Sequence, residues 1–194
     1  MTQKYGKLIG IIGYAGSGKT SLTTAALERW NGPRNTIRIG FTDPLYEMLK
    51  AMGVSPNIVD DKKRWNEPVD VLCGHSVRYA ITTLGTEWGR EYLGQDVWTR
   101  AAMKRANKYR EHGTNVVIDN VRFHSEFNGI YENAGECIKL IRPGLEINLD
   151  HESERHILDL QRLTDYEIVN DGTFTEGMEK LRKIIIDIIE QPPI

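Results

Sequence analysis

The sequence predicts an α/β fold in which a central parallel sheet of about five strands is flanked by helices. Short apolar runs alternate along the chain with segments of helical periodicity, which is typical of parallel strands joined by helical crossovers. A glycine-rich segment follows the first apolar run directly. This position supports the same fold, because ligand-binding loops in such sheets follow the carboxyl ends of strands.

The strand candidates are apolar runs bounded by turn-forming residues, and they cover residues 7–12, 36–41, 115–118, 137–141 and 166–169. The helix candidates have apolar positions three and four residues apart, and they cover residues 21–30, 44–52, 76–92, 97–112, 125–133 and 175–190. In the last helix the apolar positions form a stripe that we expect in the core. They are Met178, Leu181, Ile184, Ile185 and Ile188.

The glycine-rich segment, GYAGSGKT at residues 13–20, has the spacing of a phosphate-binding loop. Glycines let consecutive backbone N–H groups turn toward phosphate oxygens. We expect Lys19 to reach the β and γ phosphates of a nucleoside triphosphate, Thr20 to offer its hydroxyl to Mg²⁺, and the next helix to point its positive end at the same anion. The nucleotide-binding candidates in the loop are Gly13, Ala15, Gly16, Ser17, Gly18, Lys19 and Thr20.

Length and composition fit one intracellular α/β domain. The chain has 194 residues, a net charge of −2 and two cysteines. The charge gives no basic footprint for a nucleic-acid polymer, although local arginines can still bind nucleotides. Cys73 and Cys137 lie far apart, so a disulfide framework is not expected. No membrane-spanning run or signal peptide is visible, which favours a cytoplasmic location.

Two stretches interrupt the alternation of strands and helices. Residues 55–74 are polar and rich in charge, and we expect a flexible excursion there. Residues 148–164 are also charge-dense. A mobile lid and an ordinary exposed helical connection explain this second stretch equally well.

Acidic residues follow two of the predicted strands. Asp119 comes directly after the run at 115–118, beside the expected position of the loop, so it is a candidate to support Mg²⁺. Arg122 could then reach phosphoryl oxygens during transfer. Asp43 follows the second strand, where capping the next helix and orienting an acceptor are both open.

Aromatic and charged side chains cluster between residues 78 and 98. Trp88 and Trp98 could stack on a planar base, while Arg78 and Arg90 could clamp a monophosphate. For each ring taken alone, packing of a helix onto the sheet is the better interpretation.

These motifs, taken in order and spacing, resemble the phage-type deoxynucleoside monophosphate kinases, within the larger nucleoside monophosphate kinase group. The resemblance runs nearly from end to end of the chain. Its segments are GYAGSGKT (13–20), FTDPL (41–45), LGTEWGR (84–90), GQDVW (94–98), VVIDNVRFHSE (116–126), IRPG (141–144), HESE (151–154) and IVNDGT (168–173).

The resemblance implies one P-loop kinase domain over residues 1–194, with an acceptor-binding insert at about 55–98 and a lid at about 148–164. It implies transfer of the γ-phosphoryl group of ATP, with Mg²⁺, to a deoxynucleoside monophosphate. By this resemblance the catalytic residues are Lys19, Asp43, Asp119 and Arg122; Thr20 and Asp119 hold the metal. Asp43, Arg78, Glu87, Trp88, Arg90, Trp98 and Arg122 serve the acceptor, and Asn170 and Gly172 serve the adenine. Arg155 is a candidate lid arginine on the ATP side.

Two positions depart from the family pattern. Many members carry a second Asp where this chain has Asn120, and an Asp after the loop lysine where it has Thr20. Other readings remain open: the IVNDGT segment also resembles dephospho-coenzyme A kinases, and a nucleotide-dependent switch could use the same loop. A homodimer and, if the chain is phage-encoded, the host cytoplasm as its location are also left open.

Overall fold

The computed structural model describes residues 5–28, 35–147 and 152–191. The chain divides into two compact units. The first, here called the sheet unit, comprises Met1–Gly40 and Ala102–Ile194, and the second, the insert unit, comprises Phe41–Ala101. The insert unit contains the predicted insert at about 55–98 and begins earlier, at Phe41.

The sheet unit is built on five parallel strands in the order β2-β3-β1-β4-β5. The strands are β1 (Leu8–Ile12), β2 (Thr36–Ile39), β3 (Asn115–Val121), β4 (Glu136–Ile141) and β5 (Tyr166–Val169). The predicted α/β class and the five strands are therefore confirmed. All five residues of the central strand β1 are buried, which explains its unbroken apolar sequence.

Strand β3 runs three residues further than the sequence predicts, and its pairing with β1 changes register there. Gly10 pairs with Ile118 and Ile12 pairs with Val121, so Asp119 and Asn120 together stand opposite the single residue Ile11. This is the pattern of a β-bulge, which re-aims side chains and is common beside active sites. Asp119 thus lies within the strand and not directly after it.

The helices match the predicted positions to within a few residues, except in the insert unit. Among the described residues the α-helices are α1 (Lys19–Glu28), α2 (Asp43–Ala51), α3 (Pro56–Val59), α4 (Val77–Thr83), α5 (Val97–Arg110), α6 (His124–Glu132), α7 (Glu152–Leu160) and α8 (Phe174–Glu190). The predicted end of the first helix at Trp30 lies outside the described residues. In the described part of the chain, no helix combines the length and apolarity needed to cross a membrane.

The main core of the sheet unit lies between the sheet and the helices α1 and α8. The predicted apolar stripe of α8 is confirmed, since Met178, Leu181, Ile185 and Ile188 are at most 1 % exposed. Ile184 packs at the edge of the same cluster. Burial of these side chains, each worth about 1.5–3 kcal/mol, holds the two helices against one face of the sheet.

The insert unit has an apolar cluster of its own, and the stretch at 55–74, for which a flexible excursion was expected, contributes to it. Helix α3 and two short 3₁₀ turns, Lys62–Arg64 and Asp70–Leu72, lie in this stretch. Val59, Val69 and Leu72 are buried with residues from α2 and α4. The polar residues between them concealed this cluster, because three buried apolar residues spread over fourteen positions follow neither a helical nor a strand period.

The single helix predicted for 76–92 is interrupted. After α4 the chain continues as a π-helix over Leu84–Leu93, in which hydrogen bonds span five residues. Trp98 explains part of this change: its Nε1 donates to the carbonyl oxygen of Gly85 at 2.8 Å, and a Cβ at Gly89 would lie 2.5 Å from its ring. An inserted side chain is a known cause of helix distortion, and the two glycines make room for it.

Candidate active site

The loop at residues 13–20 connects the carboxyl end of β1 to the start of α1 at Lys19. Gly16 and Gly18 have φ angles of 79° and 97°, a region that residues with a Cβ rarely adopt. A Cβ at Gly13 would lie 2.6 Å from the carbonyl oxygen of Leu140. The glycine spacing read from the sequence is therefore required by the backbone path, and it brings the loop to the first turn of a helix, where anions bind.

Lys19 lies almost fully buried inside the loop, at 6 % exposed. Its Nζ donates to the carbonyl oxygens of Gly13 and, at 2.7 Å, of Tyr14, and it lies 3.4 Å from Oγ of Ser17. These contacts hold a positive charge at the centre of the loop. The ammonium group is thus oriented by the chain itself where phosphate oxygens would be bound.

Side chains from distant parts of the sheet unit fix the outer surface of the loop. Asn170, at the end of β5, donates through Nδ2 to the carbonyl oxygen of Ser17 at 3.1 Å. Arg142, after β4, donates to the carbonyl oxygen of Gly16 at 3.2 Å. Asn170 was predicted to contact adenine; its observed contact shapes the loop, and the adenine contact stays a prediction. Gly172 lies two residues after Asn170, directly before the capping box of Thr173 and Glu176 that begins α8. Its predicted contact with adenine also stays a prediction.

A buried acid from α7 also contacts the loop. Glu154 is 5 % exposed, and its Oε2 accepts a hydrogen bond of 3.1 Å from the backbone N–H of Ala15. Its Oε1 lies 3.7 Å from a guanidinium nitrogen of Arg122. Burial, together with the carboxylates of Glu154 and Asp159, raises the pKa of the neighbouring Tyr14 phenol. Glu154 therefore links α7, the loop and Arg122.

Asp119 lies on β3, the strand beside β1, and is fully buried at 0 % exposed. Its Oδ2 accepts a hydrogen bond of 2.8 Å from Nε of Arg38 on β2. Its Oδ1 is buried and has no hydrogen-bond partner among the residues that the structure describes. A buried carboxylate oxygen without a donor is costly unless a cation or water meets it.

This arrangement fits a magnesium ion. A carboxylate oxygen with an open lone pair and the hydroxyl of Thr20 at the start of α1 are the oxygen ligands that Mg²⁺ prefers, with phosphate oxygens and water completing the shell. Within the part of the chain that the structure describes, there is no group of three or more His, Cys, Asp or Glu residues that could hold a metal alone. A magnesium ion at this place would therefore depend on the nucleotide phosphates for further ligands.

Arg122 follows the bulge of β3, and its backbone is fixed by a buried acid. The N–H groups of Arg122 and Phe123 donate to Oε2 of Glu126 at 2.8 and 3.2 Å. Glu126 is 3 % exposed and closes the first turn of α6. Its carboxylate holds the start of α6 close to the bulge, so the Arg122 backbone is set while its guanidinium remains partly exposed.

Helix α7 and the turn after it, at 161–164, occupy the described part of the predicted lid, whereas residues 148–151, including His151 of the HESE segment, lie outside the described residues. Ile157 and Leu160 are fully buried, so α7 has a packed face as well as an exposed one that carries Arg155. The helix itself agrees with the helical-connection interpretation, whereas its packed face differs from the fully exposed connection that was expected. A lid motion stays a prediction. The role of Arg155 toward ATP stays a prediction.

The remaining candidates belong to the insert unit. Asp43 is the first residue of α2 and Thr42 is its N-cap, so the N-cap interpretation of Asp43 is wrong. Trp98 is 6 % exposed, and its ring lies 6.0 Å, centroid to centroid, from that of Trp88, which is 42 % exposed. The observed contacts of Trp98 are packing contacts, and Trp88 presents more ring surface. The π-helix also carries Glu87 and Arg90.

Arg78 is held next to an aromatic residue that sequence reasoning missed. Its Nε donates to Oδ1 of Asn66 at 2.9 Å, and its guanidinium lies 5.7 Å from the ring centroid of Trp65. Trp65 also packs against Tyr46, with 5.7 Å between ring centroids. Trp65 sits among charged residues in a stretch without periodicity, so only its residue type could have marked it.

Comparison with known proteins supports the resemblance stated from the sequence. No family model matches the chain. A curated protein of Acanthamoeba polyphaga mimivirus is named as a putative deoxynucleotide monophosphate kinase. It is 29 % identical to this chain over an alignment of 187 residues, and the match covers 87 % of this chain and 91 % of that protein. The resemblance to these kinases is confirmed at this level of identity.

Solved structures show the same fold. The dephospho-CoA kinase from Campylobacter jejuni aligns with a TM-score of 0.52 and 13 % identity, over 94 % of this chain and 97 % of that one. The protein TT1252 from Thermus thermophilus aligns with a TM-score of 0.50 and 16 % identity, over 97 % of this chain and 100 % of that one.

The five-stranded parallel sheet, with the phosphate-binding loop after its central strand, defines the class of this protein by its fold: it is a P-loop fold of the kind seen in these solved structures. Within that class, the chain is similar over most of its length to the mimivirus protein named as a putative deoxynucleotide monophosphate kinase.

Proposed function

We propose that this kinase transfers the γ-phosphoryl group of ATP to a deoxynucleoside 5′-monophosphate, producing the diphosphate and ADP. The substrate class comes from the name of the mimivirus relative and from the ordered motifs shared with that family. The observation that carries the proposal is that the sheet unit holds a buried lysine in the loop after β1 and a buried carboxylate on the adjacent strand β3, one oxygen of which has no hydrogen-bond partner among the described residues.

The residues of the sheet unit would bind and orient the donor. Lys19 would exchange its contacts with loop carbonyls for contacts with β and γ phosphate oxygens, where it neutralises charge that develops during transfer. Thr20 and Asp119 would hold Mg²⁺, which would supply further neutralisation of the phosphate charge. Arg38 would keep the Asp119 carboxylate in one orientation throughout, since it holds the other oxygen.

The residues of the insert unit would bind the acceptor. Arg78 is oriented by Asn66 and lies over Trp65, so its guanidinium is already set to bind a monophosphate at little entropic cost. The exposed face of Trp88 is suited to stacking on a base, while the buried ring of Trp98 packs against Trp88. Glu87, Arg90 and Asp43 are the further acceptor residues implied by the family motifs.

A coupled ADP-release assay with a panel of acceptors tests the proposal. The panel contains the four common deoxynucleoside monophosphates, the matching ribonucleotides, nucleosides and dephospho-coenzyme A. We expect Mg²⁺-dependent ADP release with at least one deoxynucleotide and formation of the corresponding diphosphate. Release of ADP with dephospho-coenzyme A alone would replace the proposed acceptor with that one.

The same assay separates a kinase from a nucleotide-dependent switch. A switch hydrolyses ATP at a rate that does not depend on any small acceptor. Turnover that is unchanged by every member of the panel would therefore contradict the proposed function.

A further inference from the structure

The backbone N–H of Ala15 belongs to the phosphate-binding loop, yet its partner is a carboxylate of the same chain. Glu154 accepts this hydrogen bond at 3.1 Å and is 5 % exposed. The residues lie 139 positions apart, so the contact arises from the tertiary fold. An N–H of an anion-binding loop therefore already points at an anion.

The second neighbour of this carboxylate is also an anion-binding group. Oε1 of Glu154 lies 3.7 Å from the Arg122 guanidinium, whose side chain is 40 % exposed. A backbone N–H on one side and a guanidinium on the other are the groups that commonly bind a phosphoryl group. The Glu154 carboxylate thus lies between a hydrogen-bond donor and a positive charge, which are the two groups that would bind a phosphate at the same place.

The place of Ala15 in the loop indicates which phosphate this would be. Helix α1 begins at Lys19, and its first N–H groups are suited to the inner phosphates. Ala15 lies four residues earlier, in the part of the loop that precedes the helix start. A donor away from the helix start is suited to the terminal phosphate of a triphosphate, the phosphate that a diphosphate lacks.

From these contacts we infer that Glu154 is an internal substitute for the terminal phosphate: its carboxylate holds the Ala15 N–H and Arg122 until the γ-phosphate of ATP displaces it. This inference rests on the ATP-binding part of the proposed function and does not depend on which acceptor is used. Displacement breaks the hydrogen bond that joins α7 to the loop, so the movement of α7 is coupled to the terminal phosphate and not to nucleotide in general.

Competition between the carboxylate and the γ-phosphate predicts selective binding changes. In the Glu154→Gln variant a neutral amide yields the Ala15 N–H more easily and does not repel the phosphate. We expect the Kd of the β,γ-imido analogue of ATP, measured by titration calorimetry with Mg²⁺ and no acceptor, to fall by about tenfold. The Kd of ADP should change by less than about twofold, because ADP lacks the displacing group.

Asp159→Asn is the matched control. Like Glu154→Gln, it removes one negative charge from α7 and from the surroundings of the Tyr14 phenol, but Asp159 lies on the exposed face of the helix. This variant should leave both dissociation constants near those of the wild type. Equal effects of the two variants, or equal effects of Glu154→Gln on the analogue and on ADP, would overturn the inference, because either result indicates general electrostatics.

A measurement on the wild-type chain covers the case in which Glu154→Gln does not fold. The amide resonance of Ala15 in a ¹⁵N-labelled sample should shift strongly on addition of the triphosphate analogue and weakly on addition of ADP. Shifts of the same size with both nucleotides would overturn the inference. None of these measurements uses an acceptor. A failure of the deoxynucleotide assay can therefore be distinguished from a failure of the proposed displacement of Glu154 by the γ-phosphate.

Discussion

Arg38 donates through Nε to Oδ2 of Asp119 at 2.8 Å, while Oδ1 of the same buried carboxylate has no hydrogen-bond partner within the described parts of the chain. The two residues lie on adjacent strands, β2 and β3. One oxygen is therefore fixed by a positive charge, while the other could accept a cation, as we propose for Mg²⁺. Leaving a buried oxygen unsatisfied costs about 1–3 kcal/mol, which a bound cation would offset.

The first prediction concerns the chemistry of this carboxylate. Asp119→Asn keeps the shape and the contact with Arg38 but removes the negative charge. We expect turnover to fall at least about a hundredfold and the Mg²⁺ concentration for half-maximal activity to rise, because a metal-supporting charge is lost. Steady-state rates over a magnesium titration measure both effects.

Glu167→Gln serves as the control for Asp119→Asn. Glu167 is a more exposed acid on β5, at the far edge of the same sheet, and it pairs with Lys139 at 2.6 Å. Its substitution should alter neither rate nor magnesium dependence. An Asp119→Asn enzyme with an unchanged magnesium titration would contradict a metal role for this carboxylate.

The second prediction concerns Lys19. Lys19→Ala removes the charge at the centre of the loop, and we expect turnover to fall by about 10²–10³-fold or more, because charge developing on the phosphates then lacks its partner. Secondary structure by circular dichroism should be unchanged, since the core cluster between the sheet, α1 and α8 does not include this side chain. Lys139→Ala, on β4, is the matched control and should retain activity.

The third prediction separates packing from substrate binding at Trp98. Trp98→Ala should destabilise the chain by about 3–5 kcal/mol, because the buried ring fills the space above Gly89 and its N–H bonds to Gly85. Chemical denaturation measures this loss. Trp88→Ala should cost much less stability and mainly raise the KM for the acceptor, because Trp88 is 42 % exposed.

Gly89→Ala tests the same contact from the other side. The added Cβ would lie 2.5 Å from the Trp98 ring, so the chain should lose stability although alanine favours helices. A fully stable Gly89→Ala variant would show that the ring has room to move and would contradict the packing described here.

The fourth prediction concerns stability at alkaline pH. Burial raises the pKa of the Cys137 thiol above its ordinary value of 9.0, and burial with the Asp165 hydrogen bond raises that of the Tyr131 phenol above 10.0. The unfolded chain therefore releases these protons first as the pH rises. Unfolding should become easier above about pH 9, with the stability contribution present below that pH and lost progressively above it.

Thermal melts between pH 7 and 10.5 measure this alkaline slope. Cys137→Ala removes one of the two groups and should make the decline shallower, even if it lowers the melting temperature at pH 7. An alkaline slope that is the same in the variant would contradict the contribution of the buried thiol.

The strands could be predicted because a strand buried on both faces leaves an unbroken apolar run, as in β1 and in residues 116–118 of β3. The loop residues and Asp119 could be predicted because their spacing follows from backbone geometry. Glu154 and Arg38 could not, since their partners Ala15 and Asp119 lie 139 and 81 positions away. The π-helix also escaped prediction, because it depends on a tryptophan that follows it in the chain.

The register change in β3 affects how functional residues are matched between this chain and its relatives. Asp119 and Asn120 share the position opposite Ile11, so a relative without the extra residue would need a one-residue gap inside a strand. Alignment methods avoid gaps at such places and would instead assign the acid of the relative to the wrong neighbour. Matching the cross-strand pairs Gly10–Ile118 and Ile12–Val121 of this chain with the equivalent pairs of a relative gives the correct correspondence.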